Sequence, residues 1–175
     1  QPPKSGHHKA ISHKDVGDFI RKLHGSTAGE EIKLALEFTI LTAARTNEVI
    51  AANWSEIDLE QKLWTVPANR MKAGKQHRVP LSRRSVEILT RAKELAGNAE
   101  FVFPGNKQGQ HVSNMTKLTA MRRMKVDATV HGFRTSFRTW TEDQTPFPKA
   151  VSAAALAHSD RDKVDAAYQR SDLLE

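Results

Sequence analysis

Between residues 59 and 82 the spacing of apolar residues changes from three or four to two and back again, and this change most limits the folds open to the chain. In "LEQKLWTVPANRMKAGKQHRVPLS", Leu63, Thr65 and Val66 stand in a β-favouring run, Ala73 and Gly74 supply a turn, and Arg78 to Leu81 runs out again. A β-hairpin or small three-stranded sheet is expected there. On either side the period is helical. "SHKDVGDFIRKLHG" offers Ser12 as N-cap, Asp15 three residues on, apolar Val16, Phe19, Ile20 and Leu23, and Gly25 as a stop. The next stretch carries Ile32, Leu34, Leu36, Phe38, Ile40 and Leu41, too dense for a surface helix, and predicts core helices, the second a short one over 46–52. After the sheet, "SRRSVEILTRAKELAG" reads as a helix ended by Gly97, and "FVFPG" as a short buried strand or extended segment. Further helices are expected over 113–124, 132–142, 147–157 and 160–170. The fold class is therefore mainly α with a small antiparallel β-sheet, an α+β domain.

A chain of 175 residues is long enough to bury one core without staples. We expect one domain over 12–175, with residues 1–11, which begin "QPPKSGHHKA", as the remnant of a linker. There is no cysteine, which removes disulfide frameworks, thiol catalysis and cysteine-based zinc sites. His7 and His8 lack ligand spacing and carboxylate neighbours, so neither metal nor cofactor is expected. No stretch has the length to span a bilayer and no apolar signal core opens the chain, so the expected setting is the cytoplasm. Lys and Arg number 27 against 20 Asp and Glu, a net charge of +7, which raises the expectation of a phosphate-rich partner without naming one.

Basic and imidazole residues recur in small separated groups: Arg45 in "TAARTNEV", Lys72 in "NRMKAGKQHRV", His131 and Arg134 in "HGFRTSFRTW", and His158 in "LAHSD". If a helix begins near His131, that residue and Arg134 share a face beside a helix N-terminus, a geometry suited to an anion. Ser159 and Asp162 form a capping box that would start a helix carrying Val164 and Tyr168, the sole tyrosine. By spacing alone Tyr168 either packs or reacts. A phenol with a pKa of about 10 becomes a competent nucleophile only beside cations that stabilise the phenolate and hold the phosphodiester it attacks.

Together these residues closely resemble the catalytic domain of the tyrosine recombinases, the lambda-integrase class, and in particular prophage and genomic-island integrases. The resemblance covers residue 12 to 175 and rests on "LTAARTNEVIAANWSEID" with Arg45, "MKAGKQHRVPLS" with Lys72, "HGFR" with His131 and Arg134, "LAH" with His158, and Tyr168. It implies the DNA breaking-rejoining catalytic-domain fold. Tyr168 would attack the scissile phosphate to give a 3′-phosphotyrosine and a free 5′-hydroxyl, and a partner strand would reverse the step. Arg45 and Arg134 would clamp the non-bridging oxygens, Lys72 would protonate the leaving 5′-oxygen, His131 would take the tyrosine's proton, and His158 would bond a phosphate oxygen. Glu48 would orient Arg45. His77, Arg78, Arg122, Arg123 and Lys125 are expected as DNA-backbone contacts.

The implied partners are double-stranded DNA attachment sites and other protomers in a synaptic tetramer, in a bacterial cytoplasm on the nucleoid. The N-terminal core-binding and arm-binding domains of full-length integrases are absent from this stretch, so we expect weak DNA binding and a monomer in solution. Two other readings stay open at this point: DNA relaxation of the type IB topoisomerase kind, and a DNA-binding regulatory module without catalysis.

Overall fold

A computed structural model describes residues 9–157. The described chain begins with a 3-10 turn, His13–Asp15, and runs into α1, Val16–His24. Ser12 does cap, but it caps the 3-10 turn, its Oγ accepting the Lys14 N–H, and the α-helix proper starts one turn later than the sequence spacing suggests. α2 (Glu30–Thr42) follows, then the short α3 (Thr46–Ile50). The sheet comes next: β1 (Ile57–Asp58), β2 (Leu63–Val66) and β3 (His77–Pro80), antiparallel in the order β1-β2-β3. The rest is helical: α4 (Arg83–Ala96), α5 (Asn114–Arg123), α6 (Gly132–Gln144) and α7 (Lys149–Ala155). The helix expected over 160–170 lies outside the described residues.

α2 is apolar on nearly every side because it is the wall between two cores. Leu34, Ala35 and Phe38 face one core with Trp64, Val66, Val79, Ile88, Leu89 and Phe103. Leu36 faces the other, with Phe19, Leu23, Ala120, Met121, Val130 and Phe133. Rings meet across both: Phe38 stands 5.4 Å from Trp64 and 5.7 Å from Phe103, and Phe19 stands 4.8 Å from Phe133. Each such side chain contributes roughly 1.5–3 kcal/mol by leaving water, which is why this helix sets the architecture. Its polar groups are matched. Thr39 and Thr42 donate to the Ala35 and Phe38 carbonyls, and buried Glu37 is held by His24 at 2.8 Å and by a two-pronged contact from Arg84 at 2.7 and 3.0 Å. Burial pushes the Glu37 pKa up, but Arg84 and His24 more than offset this and hold it below the usual glutamate value.

The sheet is short and its alternation is strict. Trp64 pairs with Val79 and Val66 with His77, so these four side chains lie on the inward face, while Arg78 lies on the outward one. Ser82 then caps α4, accepting from the Ser85 N–H at 3.1 Å, and Gly97, at φ +57°, closes it. Phe101 and Pro104 make single bridges to Asn53 and His111 around buried Val102 and Phe103, so "FVFPG" is an extended segment that completes no strand. Among the described residues no helix is long and apolar enough to cross a membrane.

Candidate active site

α2 ends in a left-handed residue, Ala43 at φ +48°, and the chain turns through extended Arg45 into α3. This places Arg45 at the head of a helix whose third residue is Glu48. Glu48 is buried and grips Arg45 twice: one carboxylate oxygen accepts the Arg45 backbone N–H at 2.8 Å, the other accepts its Nη1 at 2.8 Å. The second guanidinium nitrogen, Nη2, donates to the Ala157 carbonyl at 3.2 Å. A guanidinium fixed by a carboxylate behind it presents its charge in one direction.

Arg134 comes from the first turn of α6, which begins at Gly132 directly after His131. It is buried, donating through Nη1 to the Ala43 carbonyl and through Nη2 to the Leu156 carbonyl at 2.6 Å. Burial, and then the like charge of Arg45, lower its pKa to about 10, with Glu48 opposing, so it stays a cation at neutral pH. The two arginines are thus near enough to feel each other; Arg134 is held by backbone oxygens, Arg45 by Glu48 and one backbone oxygen.

An open cleft of about 520 Å³ is lined by Arg45, Glu48, Arg70, Lys72, Asn114 and His131, while buried Arg134 does not reach its wall. Lys72 reaches it from the exposed connection between β2 and β3, His131 from the head of α6. Residues separated by 86 positions in sequence therefore line one cleft. Arg70 and Asn114 are additions. Arg70 pairs with Glu56 at 2.6 Å and donates to the Glu48 carbonyl at 3.2 Å, which ties the β2–β3 connection to α3. Only its position two residues before Lys72 hints at this in the sequence.

The residues expected as backbone contacts divide. His77 is half-buried on the inward face of β3, where burial first and then the charges of Arg45 and Arg134 lower its pKa against the pull of Glu48. Arg78 is exposed on the other face. Arg122 and Arg123 are exposed in the last turn of α5 and Lys125 just beyond it. Arg123 and Lys125, with Lys22 and exposed Met115, line a separate groove of about 680 Å³ between residues 25–29 and α5. His158 and Tyr168 lie outside the described residues. Among the described residues no three His, Asp or Glu side chains converge as metal ligands, and Glu48 is engaged by Arg45.

What the arrangement offers is an anion site: the fixed guanidinium of Arg45 with an ammonium and an imidazole lining the same cleft, and the buried charge of Arg134 acting on Arg45 from nearby. Residues 9–174 match the family model described as phage integrase family. The prophage integrase IntA of Escherichia coli (strain K12) is 32% identical over 178 residues, spanning 100% of this chain and 43% of that protein. The chain spans less than half the length of the curated relatives it matches. Among solved structures, the lambda integrase catalytic core superposes with a TM-score of 0.63 at 18% identity, covering 89% of this chain and 94% of that one. A lambda integrase dimer bound to a COC′ core site gives a TM-score of 0.66 at 17% identity, covering 100% of this chain and 63% of that one. At those identities the likeness is one of fold.

Proposed function

Because the chain belongs to the phage integrase family, we propose that it is the strand-cleaving part of a tyrosine-type site-specific DNA recombinase, with Tyr168 as nucleophile. The Tyr168 oxygen attacks the scissile phosphorus as the bond to the 5′-oxygen breaks, leaving a 3′-phosphotyrosine and a 5′-hydroxyl. His131 takes the phenolic proton and Lys72 gives one to the departing oxygen. Arg45 and Arg134 bind the non-bridging oxygens and stabilise the extra charge of the pentacoordinate state, and His158 bonds one of those oxygens. A 5′-hydroxyl from a second duplex then reverses the attack, so the phosphotyrosine bond conserves the energy and strand exchange needs no external source. Its partners are double-stranded DNA and further protomers assembled on it, as with the lambda integrase dimer on its core site.

The observation that supports this best is the shared cleft, in which Arg45, Lys72 and His131 meet beside buried Arg134. The test is covalent capture. A pool of nicked duplexes of randomised sequence lets the short 5′ fragment diffuse away after attack and traps the adduct. We expect a protein–DNA band resistant to denaturing detergent, absent in Tyr168→Phe, with DNA binding by that variant retained. No adduct from the unaltered protein sinks the enzyme reading and leaves a DNA-binding module. Adduct formation with relaxation of plasmid but no exchange of strands would place it with the type IB topoisomerases instead.

A further inference from the structure

Lys72 lines the cleft from an exposed stretch of chain, and among the described residues no side chain pairs with its ammonium, so its reach is set by where the main chain starts. That start is built from two successive turns. Ala68–Arg70 form a 3-10 turn, in which the Arg70 and Met71 N–H groups donate to the Pro67 and Ala68 carbonyls at 3.0 and 3.1 Å. The Gly74 N–H then donates to the Met71 carbonyl at 3.0 Å, closing a turn over Lys72 and Ala73. One side chain joins these turns to the rest of the site. Arg70 donates through Nη1 to the Glu48 carbonyl at 3.2 Å and through Nη2 to a Glu56 carboxylate oxygen at 2.6 Å. The same Glu56 oxygen accepts from Nε1 of buried Trp64 in β2 at 3.0 Å.

The geometry points to Arg70 as a positioning residue for the proton donor of strand cleavage: it ties the turn that carries Lys72 to α3, and so fixes where the Lys72 ammonium stands relative to Arg45. This rests on the recombinase reading above. Glu48 is the shared reference. Its carboxylate holds Arg45 by the backbone N–H and by Nη1, at 2.8 Å each, while its main-chain carbonyl holds Arg70, so the guanidinium that binds the phosphate and the lysine are both placed from one residue. A helix leaves its last carbonyls without partners of their own, which makes that oxygen open to Arg70. A forked guanidinium can meet an oxygen of α3 and a carboxylate beside the sheet together, as a single ammonium cannot. With Glu56 balancing its charge, Arg70 fixes geometry and leaves the attraction for a phosphate to Arg45 and Lys72. In the step itself the Tyr168 O–P bond forms as the P–O5′ bond breaks, the electron pair goes to O5′, and Lys72 Nζ supplies its proton.

A change of leaving group separates placement of the proton donor from a general loss of structure. Arg70→Met combined with Glu56→Gln removes the tie without leaving a buried carboxylate unpaired and without changing the net charge. The nicked duplex pool is prepared with oxygen or with sulfur at the scissile 5′ position. An alkyl thiol has a pKa of about 8.5, so a thiolate takes the electron pair of the P–S bond and leaves unprotonated, whereas the 5′-alkoxide needs a proton. With oxygen, the single-turnover rate of adduct formation should fall about 10- to 100-fold in the double variant; with sulfur it should stay within about twofold of the parent. Lys72→Ala should show the same pattern, and in that background the double substitution should cost nothing further with oxygen. Without DNA, hydrogen exchange at the Met71 and Gly74 amides should rise about tenfold in the double variant, the factor one lost hydrogen bond is worth. An equal loss with both leaving groups overturns the proposal, since the whole site has then shifted, as does an unchanged rate with oxygen or unchanged exchange. If the unaltered protein forms no adduct with either pool, the recombinase reading fails, and the exchange measurement still decides whether Arg70 holds the Lys72 turn.

Discussion

Lys117 of α5 is fully buried between the helices, and among the described residues its Nζ has one hydrogen-bond partner, the Thr39 hydroxyl at 3.3 Å. Burial pushes its pKa from 10.5 down to about 7, with no charged group contributing. Between pH 7 and 10.5 the unfolded chain therefore binds a proton that the folded chain does not, and stability rises with pH across that window. Below pH 7 both states carry the proton and the full cost of burying it applies. The separation is about 3.5 pH units, which at about 1.36 kcal/mol each is a cost on the order of 5 kcal/mol at the acidic end. Lys117→Met keeps the shape and removes the charge. Thr39 loses a weak donor but still donates to Ala35, so nothing is orphaned. The variant should be more stable at pH 7 by roughly 1–4 kcal/mol, the range seen when buried charge gives way to packed apolar groups. Urea unfolding at pH 7, 8 and 9 should show the gap between variant and parent shrinking by about 1.4 kcal/mol per pH unit. A gap that does not change with pH, or a variant less stable than its parent at pH 7, would refute the reasoning and mean that the ammonium is charged and hydrated within the fold.

Gly132→Ala tests a close approach. A Cβ there would overlap the Lys9 carbonyl oxygen, which also accepts the Thr129 N–H at 2.9 Å, so the segment before α1 must move off the start of α6. Thermal unfolding should show a loss of about 1–3 kcal/mol, the usual cost of overpacking. Arg134→Lys keeps the charge but cannot reach the Ala43 and Leu156 carbonyls together or fork onto two phosphate oxygens. The adduct rate should fall on the order of 100-fold or more, as on loss of an oxyanion donor, and a near-normal rate would remove Arg134 from the phosphate clamp. Lys22→Glu in the groove beside α5 should weaken binding of duplexes uniformly across sequences and flatten the salt dependence if that groove carries DNA backbone. A salt titration by fluorescence anisotropy reads it.

The order of elements was legible because the apolar period is clear wherever an element has one wet face. α4 shows it, and so do its ends, Ser82 and Gly97. α5 does not: Met115 is 59% exposed while Lys117 is 0% exposed, the reverse of what hydrophobicity suggests, and no spacing rule would have put that lysine inside. His77 was legible in principle, since a residue two before Val79 on a strand shares its face. As one of several basic residues in a hairpin it reads, like Arg78, as a DNA contact, and only the strand register separates the two by face. The anchoring of Arg134 was not legible at all, because its partners are main-chain oxygens of Ala43 and Leu156, and backbone acceptors carry no side-chain signature. Expectations at His158, Tyr168 and residues 160–170 lie outside the described residues.

That anchoring has a consequence for charge. A cation site for a phosphodiester must hold its guanidiniums rigidly yet keep net positive charge, and carboxylate partners achieve the first at the expense of the second. Here one carboxylate, Glu48, serves two arginines: it bonds Arg45 directly and acts on Arg134 through space. Three further donors, Arg45 Nη2 and Arg134 Nη1 and Nη2, go to the carbonyl ends of α2 and α7, whose partial negative charge fixes geometry without cancelling a full charge. With Lys72 at the rim, the cleft keeps a formal excess of positive charge that a diester's single negative charge can satisfy. A second buried carboxylate at Ala43 or Leu156 would occupy the arginines as firmly and leave them less charge for an anion. The alanines that end both helices in left-handed turns, Ala43 and Ala157, are therefore part of the same design, because they aim the carbonyls.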